Sequence, residues 1–314
     1  MKLFGITGVA GYIAPRHLRA IHDTGNRLIA ALDPNDSVGI LDSFSYDIDF
    51  FTEFERFDRH LERVRRDPNR EGIDYLTICS PNYLHDAHIR LALRLGANAI
   101  CEKPLVSNPW QLDALQELED ESEGKVFGVL QLRVHEAIIA LRNKVLAQQR
   151  KEKYEIDLTY ITSRGKWYRY SWKGNEEKSG GIAANIGVHF FDMLIWIFGP
   201  VVENHIYLKE PNKMSGFLEL ENAYVRWYLA IDKNDLPEKA VLQGKPTYRS
   251  ITVDGDEIEF SGGFTDLHTR MYEVILEGNG FGMADTRPSI ELVNQLRTTP
   301  IQPKFEAAHP FLVK

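Results

Sequence analysis

Three polar side chains share one stripe of an otherwise apolar stretch, GGIAANIGVHFFDML, at residues 180–194. Asn185 and His189 are four residues apart, and Asp192 follows three residues later, which places all three on one face of a helix. Polar groups buried in such a helix need hydrogen-bond partners or a chemical role. A core histidine with satisfied hydrogen bonds is the ordinary explanation, but a histidine is also suited to accept a proton near neutral pH.

Lys103, in the tetrapeptide CEKP at residues 101–104, is a second candidate. It follows an apolar stretch typical of a strand, so we expect it at the carboxyl edge of a sheet, where α/β folds bind ligands. An ammonium group there could contact a bound ligand. A plain surface charge at the end of a strand is the alternative.

A third feature is the stretch FGITGVAGYIAPRH at residues 4–17, with Gly8, Gly11 and Ala14 spaced three apart. Its first gap is one residue longer than in the dinucleotide-binding pattern G-x-G-x-x-G. Asp33 ends the next predicted strand 25 residues after Gly8, near the spacing of an acid that binds ribose hydroxyls. The pattern predicts NAD rather than NADP, because a carboxylate repels a 2′-phosphate. A turn between strand and helix without a cofactor is the alternative.

Strands and helices alternate over the first 125 residues and would position these side chains. Predicted strands lie at 2–8, 27–33, 73–81, 98–104 and 125–133, and predicted helices at 15–25, 54–67, 85–96 and 109–124. This alternation predicts right-handed βαβ crossovers and a parallel sheet.

After about residue 150, polar and apolar residues alternate in stretches that follow one another with few helices between them. The stretches 154–162, 203–210, 216–231 and 248–260 are typical of strands, and 184–198 and 288–297 of helices. They predict a mostly antiparallel open sheet with one face covered. The sequence therefore predicts an α/β fold with a NAD-binding Rossmann domain at 1–125. An α+β domain for substrate binding and oligomerisation follows at 126–314.

Composition limits the function classes. The 314 residues carry a net charge of −8, so no global basic field attracts nucleic acid. Cys79 and Cys101 each end an apolar stretch without disulfide or metal-ligand spacing, which predicts buried thiols and no metal site. We see no signal peptide and no apolar run near the roughly 20 residues of a membrane helix, and expect a cytoplasmic protein.

A basic and aromatic segment at residues 164–178 precedes the His189 stretch. It holds five cations against two glutamates, with four aromatic residues between them. Cations suit an anionic ligand, and flat rings suit a planar ligand group. An exposed strand with ordinary alternation is the alternative.

Together these motifs resemble the Gfo/Idh/MocA family, the relatives of glucose–fructose oxidoreductase and inositol dehydrogenase. The resemblance covers nearly the whole chain and rests on the glycine loop followed by His17, on SPNYLH at 80–85, on Glu102-Lys103-Pro104, on the N-x-G-x-H-x-x-D helix and on the ending at 266–293. Two departures stand out. Ala14 occupies the third glycine position, and Asn185 replaces the family's aspartate four residues before the histidine. An amide cannot accept the proton, so we expect Asn185 to orient the substrate.

The resemblance implies the residues that contact cofactor and substrate. For NAD these are Gly8, Gly11, Tyr12, Ile13, Asp33, Ser80, Asn82, His85, Glu102 and Lys103. For the substrate they are Lys103, Arg164, Lys166, Tyr168, Trp172, Lys173, Asn185, His189 and Asp192. Lys103, His189 and Asn185 would be catalytic, with His189 the first choice of base, although His189 and Lys103 could exchange roles. Asp192 would either position His189 or belong to packing.

Within the family, residues 164–194 are similar to sugar-nucleotide dehydrogenases that oxidise C3 of a UDP-linked amino-uronic acid on the way to di-N-acetylated mannuronic acid units of lipopolysaccharide. This implies oxidation of UDP-2-acetamido-2-deoxy-D-glucuronic acid by NAD in a homo-oligomer, often a tetramer. The NADH would be either reoxidised by 2-oxoglutarate or released. A dehydrogenase of another sugar or cyclitol and a non-catalytic cofactor-binding regulator are the alternatives.

Overall fold

The computed structural model describes residues 1–148, 150–258, 266–303 and 308–312. The chain divides into two compact units, one made of Met1–Gln131 and Thr265–Arg287, the other of Leu132–Phe264 and Pro288–Lys314. The first unit extends beyond the predicted boundary at residue 125 to Gln131, and it also includes a later segment of the chain. The assignment of separate cofactor and substrate domains stays a prediction.

Up to residue 128 the chain alternates strands and helices largely as predicted, with one short strand, Asp49–Phe51, that the sequence did not indicate. In order it forms β1 (Leu3–Thr7), α1 (Ala14–Asp23), β2 (Arg27–Leu32), β3 (Asp49–Phe51), α2 (Phe54–Arg66), β4 (Tyr75–Ile78), α3 (His85–Arg94), β5 (Asn98–Cys101), α4 (Pro109–Asp120) and β6 (Val126–Gly128). The sheet has the order β3-β2-β1-β4-β5-β6 and every pair in it is parallel. The predicted parallel sheet is confirmed.

Local signals explain the helix boundaries of this unit. Helix α1 buries Leu18 and Ile21 on one face, carries Pro15 in its first turn, and is followed by Gly25 with a φ of +73°. Helix α3 is followed by Gly96 with a φ of +71°, a conformation that favours glycine just after the end of a helix. Helix α1 therefore begins where proline favours it, and both helices end just before a glycine.

The rest of the chain contains the strands of a second sheet and further helices. They are α5 (Glu136–Ala147), β7 (Tyr154–Thr162), α6 (Trp167–Tyr170), α7 (Glu176–Ser179), α8 (Val188–Phe198), β8 (Val201–Glu210), β9 (Lys213–Leu220), β10 (Ala223–Ala230), α9 (Glu238–Leu242), β11 (Thr247–Val253), β12 (Asp256–Glu257), α10 (Leu267–Leu276) and α11 (Met283–Thr298). The sheet order is β12-β11-β7-β10-β9-β8. The β7–β10 pair is parallel and the other pairs are antiparallel, so the mostly antiparallel sheet is confirmed. Helix α10 belongs to the first unit.

Some predicted elements differ in extent. The stretch 216–231 contains parts of two strands, β9 and β10, because alternation continues across their short turn. The stretch 248–260 is likewise the hairpin of β11 and β12, turned at Asp254 and Gly255, which both have positive φ; its last residues, 259 and 260, lie outside the described residues. The stretch 125–133 forms only β6 before a 3-10 turn at Gln131–Val134.

The helical run Glu176–Phe198 corrects the expectation that no apolar run approaches the length of a membrane span. By length and composition it could cross a membrane, yet most of its apolar stretch is buried inside the fold. Phe190, Phe191 and Phe198 belong to the core that also contains Trp227 of the sheet. A helix enclosed by its own core is apolar on most sides, so burial accounts for this composition.

Candidate functional site

The glycine loop packs tightly against the end of β4. Gly8 has a φ of +77°, and a Cβ there would lie 2.5 Å from the backbone of Cys79 and Ser80. A Cβ at Gly11 would lie 2.9 Å from the carbonyl oxygen of Gly8. Since real Cβ atoms do not approach so closely, the fold itself requires the glycine at position 8 and favours the one at position 11. Their presence alone is therefore weaker support for a cofactor than the pattern suggests.

The start of α1 supplies the stronger indication of an anion site. The cap residue Ile13 offers no side-chain acceptor. Within the part of the chain that the structure describes, the backbone N–H groups of Tyr12 and Ile13 have no hydrogen-bond acceptor. Unsatisfied N–H groups at a helix N-terminus attract phosphate. The predicted contacts at these two positions fit a dinucleotide pyrophosphate.

Asp33 follows β2 and is hydrogen-bonded to the glycine loop. Its Oδ2 atom accepts a hydrogen bond from the N–H of Ala10 at 2.9 Å, and its Oδ1 atom accepts one from the N–H of Asn35 at 2.9 Å. The side chain is half-buried. The predicted ribose-binding carboxylate thus lies beside the predicted phosphate loop, as a dinucleotide site requires.

Ser80, Asn82 and His85 follow β4 and are buried. The His85 ring lies between two carbonyl oxygens, with Nδ1 2.8 Å from that of Pro104 and Nε2 2.9 Å from that of Ser80. Burial lowers the pKa of His85, and the two carbonyl oxygens act in the opposite direction. His85 therefore ties together the loops that follow β4 and β5, and its direct contact with a cofactor stays a prediction.

Lys103 is half-buried at the end of β5, and Glu102 before it is buried. The Glu102 Oε1 atom lies 2.9 Å from His17 Nε2 and 3.1 Å from His268 Nε2, while Oε2 accepts a hydrogen bond from the N–H of Lys103 at 3.2 Å. Burial alone would raise the pKa of Glu102, but the hydrogen bonds from the two histidines hold it well below its ordinary value. The carboxylate is thus ionised and held within the protein, and its predicted contact with the cofactor stays a prediction.

Asn185 and His189 lie where α8 begins. Residues Ala183–Gly187 form a π-helical turn, a feature frequent at functional sites. Among residues 183–189, only Asn185 and His189 are half-buried, while the other five are buried. A Cβ at Gly187 would lie 2.7 Å from Leu229 Cδ1, so this helix packs closely on β10. The two polar side chains singled out by their spacing are therefore the ones that emerge from the core.

Tyr160, which contacts the His189 ring, and Arg249, which contacts Tyr160, were not identified from the sequence. The rings of Tyr160 and His189 meet edge to face with their centroids 5.9 Å apart. The Arg249 guanidinium lies 5.5 Å from the centroid of the Tyr160 ring, its partner in the β7–β11 register. Nothing local in the sequence links Arg249 to Tyr160, because strand register brings the two residues together. The structure thus places a cation against the aromatic ring that contacts the predicted base.

Asp192 forms a buried ion pair with Arg133. Arg133 donates through Nε to Oδ2 at 3.0 Å and through Nη2 to Oδ1 at 2.8 Å, and the two side chains are 6% and 3% exposed. This geometry supports the packing alternative for Asp192. Its contact with substrate stays a prediction, and Arg133 was not identified from the sequence.

The basic and aromatic segment consists of short helical turns, so the alternative of an exposed strand is wrong. Helices α6 and α7 flank a 3-10 turn at Trp172–Gly174. Arg164 and Lys166 are exposed, and the Lys173 ammonium lies 5.4 Å from the centroid of the Trp172 ring. Tyr168 is buried, and its hydroxyl accepts a hydrogen bond from the Asn185 amide. Tyr168 therefore links this segment to the helix that carries His189.

Comparison with known proteins identifies two family matches. Residues 2–130 match an oxidoreductase family with an NAD-binding Rossmann fold, GFO_IDH_MocA, and residues 152–236 match the C-terminal alpha/beta domain of the same family.

Among solved structures, the chain is similar to the WlbA (WbpB) dehydrogenase from Thermus thermophilus. The structure with NAD and alpha-ketoglutarate is 51% identical with a TM-score of 0.95, and 99% of this chain and 100% of that chain are covered. The same dehydrogenase with NAD and UDP-GlcNAcA is 50% identical over the same coverage, again with a TM-score of 0.95.

Curated relatives match over shorter stretches. A putative UDP-kanosamine synthase oxidoreductase subunit of Amycolatopsis mediterranei (strain S699) is 30% identical over 129 residues, 41% of this chain. This match covers 35% of the length of that relative. A second match, to the putative oxidoreductase YteT of Bacillus subtilis (strain 168), covers 30% of the length of YteT, so the chain spans about a third of each relative.

Proposed function

Because this chain belongs to the Gfo/Idh/MocA oxidoreductase family, we propose that it is an NAD-dependent dehydrogenase of a sugar nucleotide. It oxidises the C3 hydroxyl of UDP-2-acetamido-2-deoxy-D-glucuronic acid to a ketone. The observation that carries this proposal is the 50% identity, over nearly the whole chain, to a dehydrogenase solved with NAD and UDP-GlcNAcA. The alternatives of a cyclitol dehydrogenase and a non-catalytic regulator have no comparable support.

The residues of the first unit fit NAD. The N–H groups of Tyr12 and Ile13 would bind the pyrophosphate, and Asp33 would accept hydrogen bonds from the ribose. When bound, NAD supplies the acceptor for the hydride that leaves C3. The carboxylate of Asp33 favours NAD over NADP by repelling a 2′-phosphate.

The chain itself supplies the acid–base chemistry. His189, half-buried at the start of α8, takes the proton of the C3 hydroxyl, and Lys103 donates a hydrogen bond to the developing alkoxide. Asn185, which replaces an aspartate of the family pattern, binds and orients the sugar and takes no proton.

The charged parts of the substrate are assigned to the segment before α8. Arg164 and Lys166 are exposed cations, and Lys173 lies against Trp172. Cations of this kind pair with a diphosphate or a carboxylate, and an indole ring stacks on a base. These contacts would favour a UDP-linked uronate over an uncharged sugar.

The substrate proposal is tested by NADH formation with UDP-2-acetamido-2-deoxy-D-glucuronate, UDP-N-acetylglucosamine and myo-inositol. We expect turnover of the uronate at least about tenfold faster in kcat/KM than of the uncharged UDP sugar, since a cation that lacks its anion is costly to desolvate. Equal or better use of UDP-N-acetylglucosamine would contradict the uronate proposal. Lys166→Gln should raise KM for the uronate, while Lys239→Gln, another exposed lysine of the second unit, should not.

We also propose that NADH stays bound and is reoxidised by 2-oxoglutarate. The support is the structure of the Thermus thermophilus dehydrogenase with NAD and alpha-ketoglutarate. Multiple turnovers should then require 2-oxoglutarate and yield 2-hydroxyglutarate in equal amount to the keto sugar. Sustained turnover with NAD alone would favour release of NADH.

Three further assignments are proposals of the same kind. The enzyme acts in the cytoplasm, forms a homo-oligomer that we expect to be a tetramer, and serves the synthesis of lipopolysaccharide O-antigen units. Light scattering of the purified enzyme measures the oligomer, and loss of di-N-acetylated mannuronic acid from the polysaccharide of a deletion strain tests the pathway.

A further inference from the structure

We infer that His268 and Tyr272, on α10, are positioning residues that hold Lys103 in place through Glu102. The inference rests on the proposed role of Lys103 in catalysis and goes beyond it, because it assigns a task to a helix with no part in the predicted site. All the contacts that carry it lie within the first unit of the chain.

The network centres on one buried carboxylate oxygen. Both His17 Nε2 and His268 Nε2 lie within 3.1 Å of Glu102 Oε1. An ionised carboxylate can only accept hydrogen bonds, so both ring nitrogens must donate. The other oxygen, Oε2, accepts from the backbone N–H of Lys103 at 3.2 Å. Glu102 therefore joins α10 to the backbone of Lys103.

Tyr272 fixes the protonation of the first histidine. Burial lowers the pKa of His17, so its ring is neutral and carries its proton on Nε2, facing Glu102. Its Nδ1 atom, 2.9 Å from the Tyr272 hydroxyl, then accepts a hydrogen bond from that hydroxyl. The same hydroxyl lies 2.8 Å from Thr77 Oγ1 and accepts the proton of Thr77. Every donor in this chain of hydrogen bonds has one acceptor, which gives the network a single arrangement.

The network joins the two parts of the proposed NAD and alcohol site in this unit. His17 lies on α1, directly after the glycine loop, and Lys103 lies at the end of β5. His268 and Tyr272 are one helical turn apart on α10, and the His17 and His268 rings meet edge to face at 4.8 Å. Removal of the His268 donor leaves Glu102 Oε1 with one hydrogen bond and frees the segment that carries Lys103.

The same three side chains, His17, Glu102 and His268, are close enough to bind a metal ion. The hydrogen-bonded arrangement accounts better for the geometry, because both nitrogens converge on a single oxygen at ordinary hydrogen-bond distances. A metal would instead require both nitrogens to present lone pairs. Metal analysis of the purified enzyme distinguishes the two, and a stoichiometric metal lost from His268→Phe would overturn the inference.

The test compares His268→Phe, which keeps a ring and removes the donor, with His268→Gln, which restores an N–H at a similar reach. A second pair is Tyr272→Phe and Tyr75→Phe. Both tyrosine rings stack on Phe4, but Tyr75 lies outside the network. Displacement of a catalytic group by about 1 Å costs on the order of 100-fold. We therefore expect kcat to fall about 10- to 100-fold in His268→Phe and Tyr272→Phe.

In the same variants the KM for NAD should stay within about threefold of the wild-type value, because the substitutions do not remove the proposed contacts that bind NAD in the ground state. His268→Gln should recover most of the activity, and Tyr75→Phe should keep it. Wild-type kcat in folded His268→Phe would overturn the inference, whatever its melting temperature. If His268→Phe does not fold, His268→Asn takes its place, since its amide does not reach Glu102.

Hydrogen exchange tests the network without substrate, so it separates failure of this inference from failure of the proposed function. The amide of Lys103, bound to Glu102 Oε2, should exchange faster in His268→Phe and Tyr272→Phe than in the wild type and Tyr75→Phe. Unchanged exchange of the peptide 98–105 would overturn the inference even if the enzyme acts on another alcohol. Faster exchange in an enzyme without turnover of any UDP sugar would support the network and reject the substrate.

Discussion

The carboxylate of Asp33 accepts a hydrogen bond from the backbone N–H of Ala10 at 2.9 Å. One side chain thus has two tasks in our proposal: it holds the glycine loop and it selects the cofactor by charge. The two tasks can be separated by substitution, because an asparagine keeps an acceptor oxygen and loses the charge.

Asp33→Asn should bind NAD nearly as tightly as the wild type and lose discrimination against NADP. Two like charges about 4 Å apart at a protein surface repel by roughly 1–4 kcal/mol, so the ratio of the two Kd values should change at least about fivefold. Asp33→Ala should also weaken NAD, because the loop loses its acceptor. Titration of both cofactors by fluorescence measures these values, and a wild type that binds NADP as tightly as NAD would contradict the assignment.

His189→Asn and Lys103→Ala should each lower kcat with little change in the Kd for NAD. Loss of a general base costs about 10²–10⁴-fold. The double variant should lose less than the product of the two single effects, because residues that act as a unit are not additive. Steady-state rates and melting temperatures are measured on the same samples. Full turnover in a folded but less stable His189→Asn would make His189 a core histidine and leave Lys103 as the candidate base.

Arg133→Met should strongly destabilise the protein, because it removes the guanidinium that pairs with the buried Asp192 carboxylate through two hydrogen bonds. Breaking one side of a buried ion pair costs about 3–5 kcal/mol of the free energy of unfolding. The double variant Arg133→Met/Asp192→Asn should be more stable than Arg133→Met alone. Urea denaturation measures the free energy of unfolding of the wild type and of the two variants.

Arg90→Met is the matched control, because it breaks the more exposed Arg90–Asp86 pair and should cost at most about 1 kcal/mol. If Arg133→Met is no worse than Arg90→Met, the pair does not stabilise the fold. Wild-type kcat in the double variant would assign Asp192 to packing rather than to the position of His189.

Acid should destabilise the protein through His88. Burial lowers the pKa of His88 to about 4, against about 6.5 in an unfolded chain. Between these values the unfolded state binds more protons, so stability falls as pH falls, by at most about 1.4 kcal/mol per pH unit from this residue. His88→Asn keeps an acceptor for Ser80 and Thr7 and cannot titrate. Its free energy of unfolding should therefore decline less steeply between pH 6.5 and 4.

His22→Asn is the control for loss of a histidine, since His22 is exposed. Denaturation curves at half-unit pH steps compare the three proteins. Identical slopes in the wild type and His88→Asn would show that His88 does not link folding to pH.

The sequence was enough to predict those features that depend on residues close together in the chain. Periodicity placed most strands of both sheets, because the residues that face a core repeat with the period of their own helix or strand. It did not indicate β3, and it did not separate β9 from β10. The spacing of Asn185 and His189 identified the two half-buried side chains among residues 183–189 for the same reason. The positive φ of Gly8 and Gly96 likewise follows from a residue type that tolerates it.

What the sequence by itself determined is the order of elements, the fold class and the candidate residues on single elements. Only the tertiary structure decided the partners of those residues. Glu102 meets His268 across 166 positions, Asp192 meets Arg133 across 59, and Arg249 reaches Tyr160 through strand register. A buried carboxylate must find donors, but composition and spacing do not say which of the chain's histidines and arginines the packing brings to it.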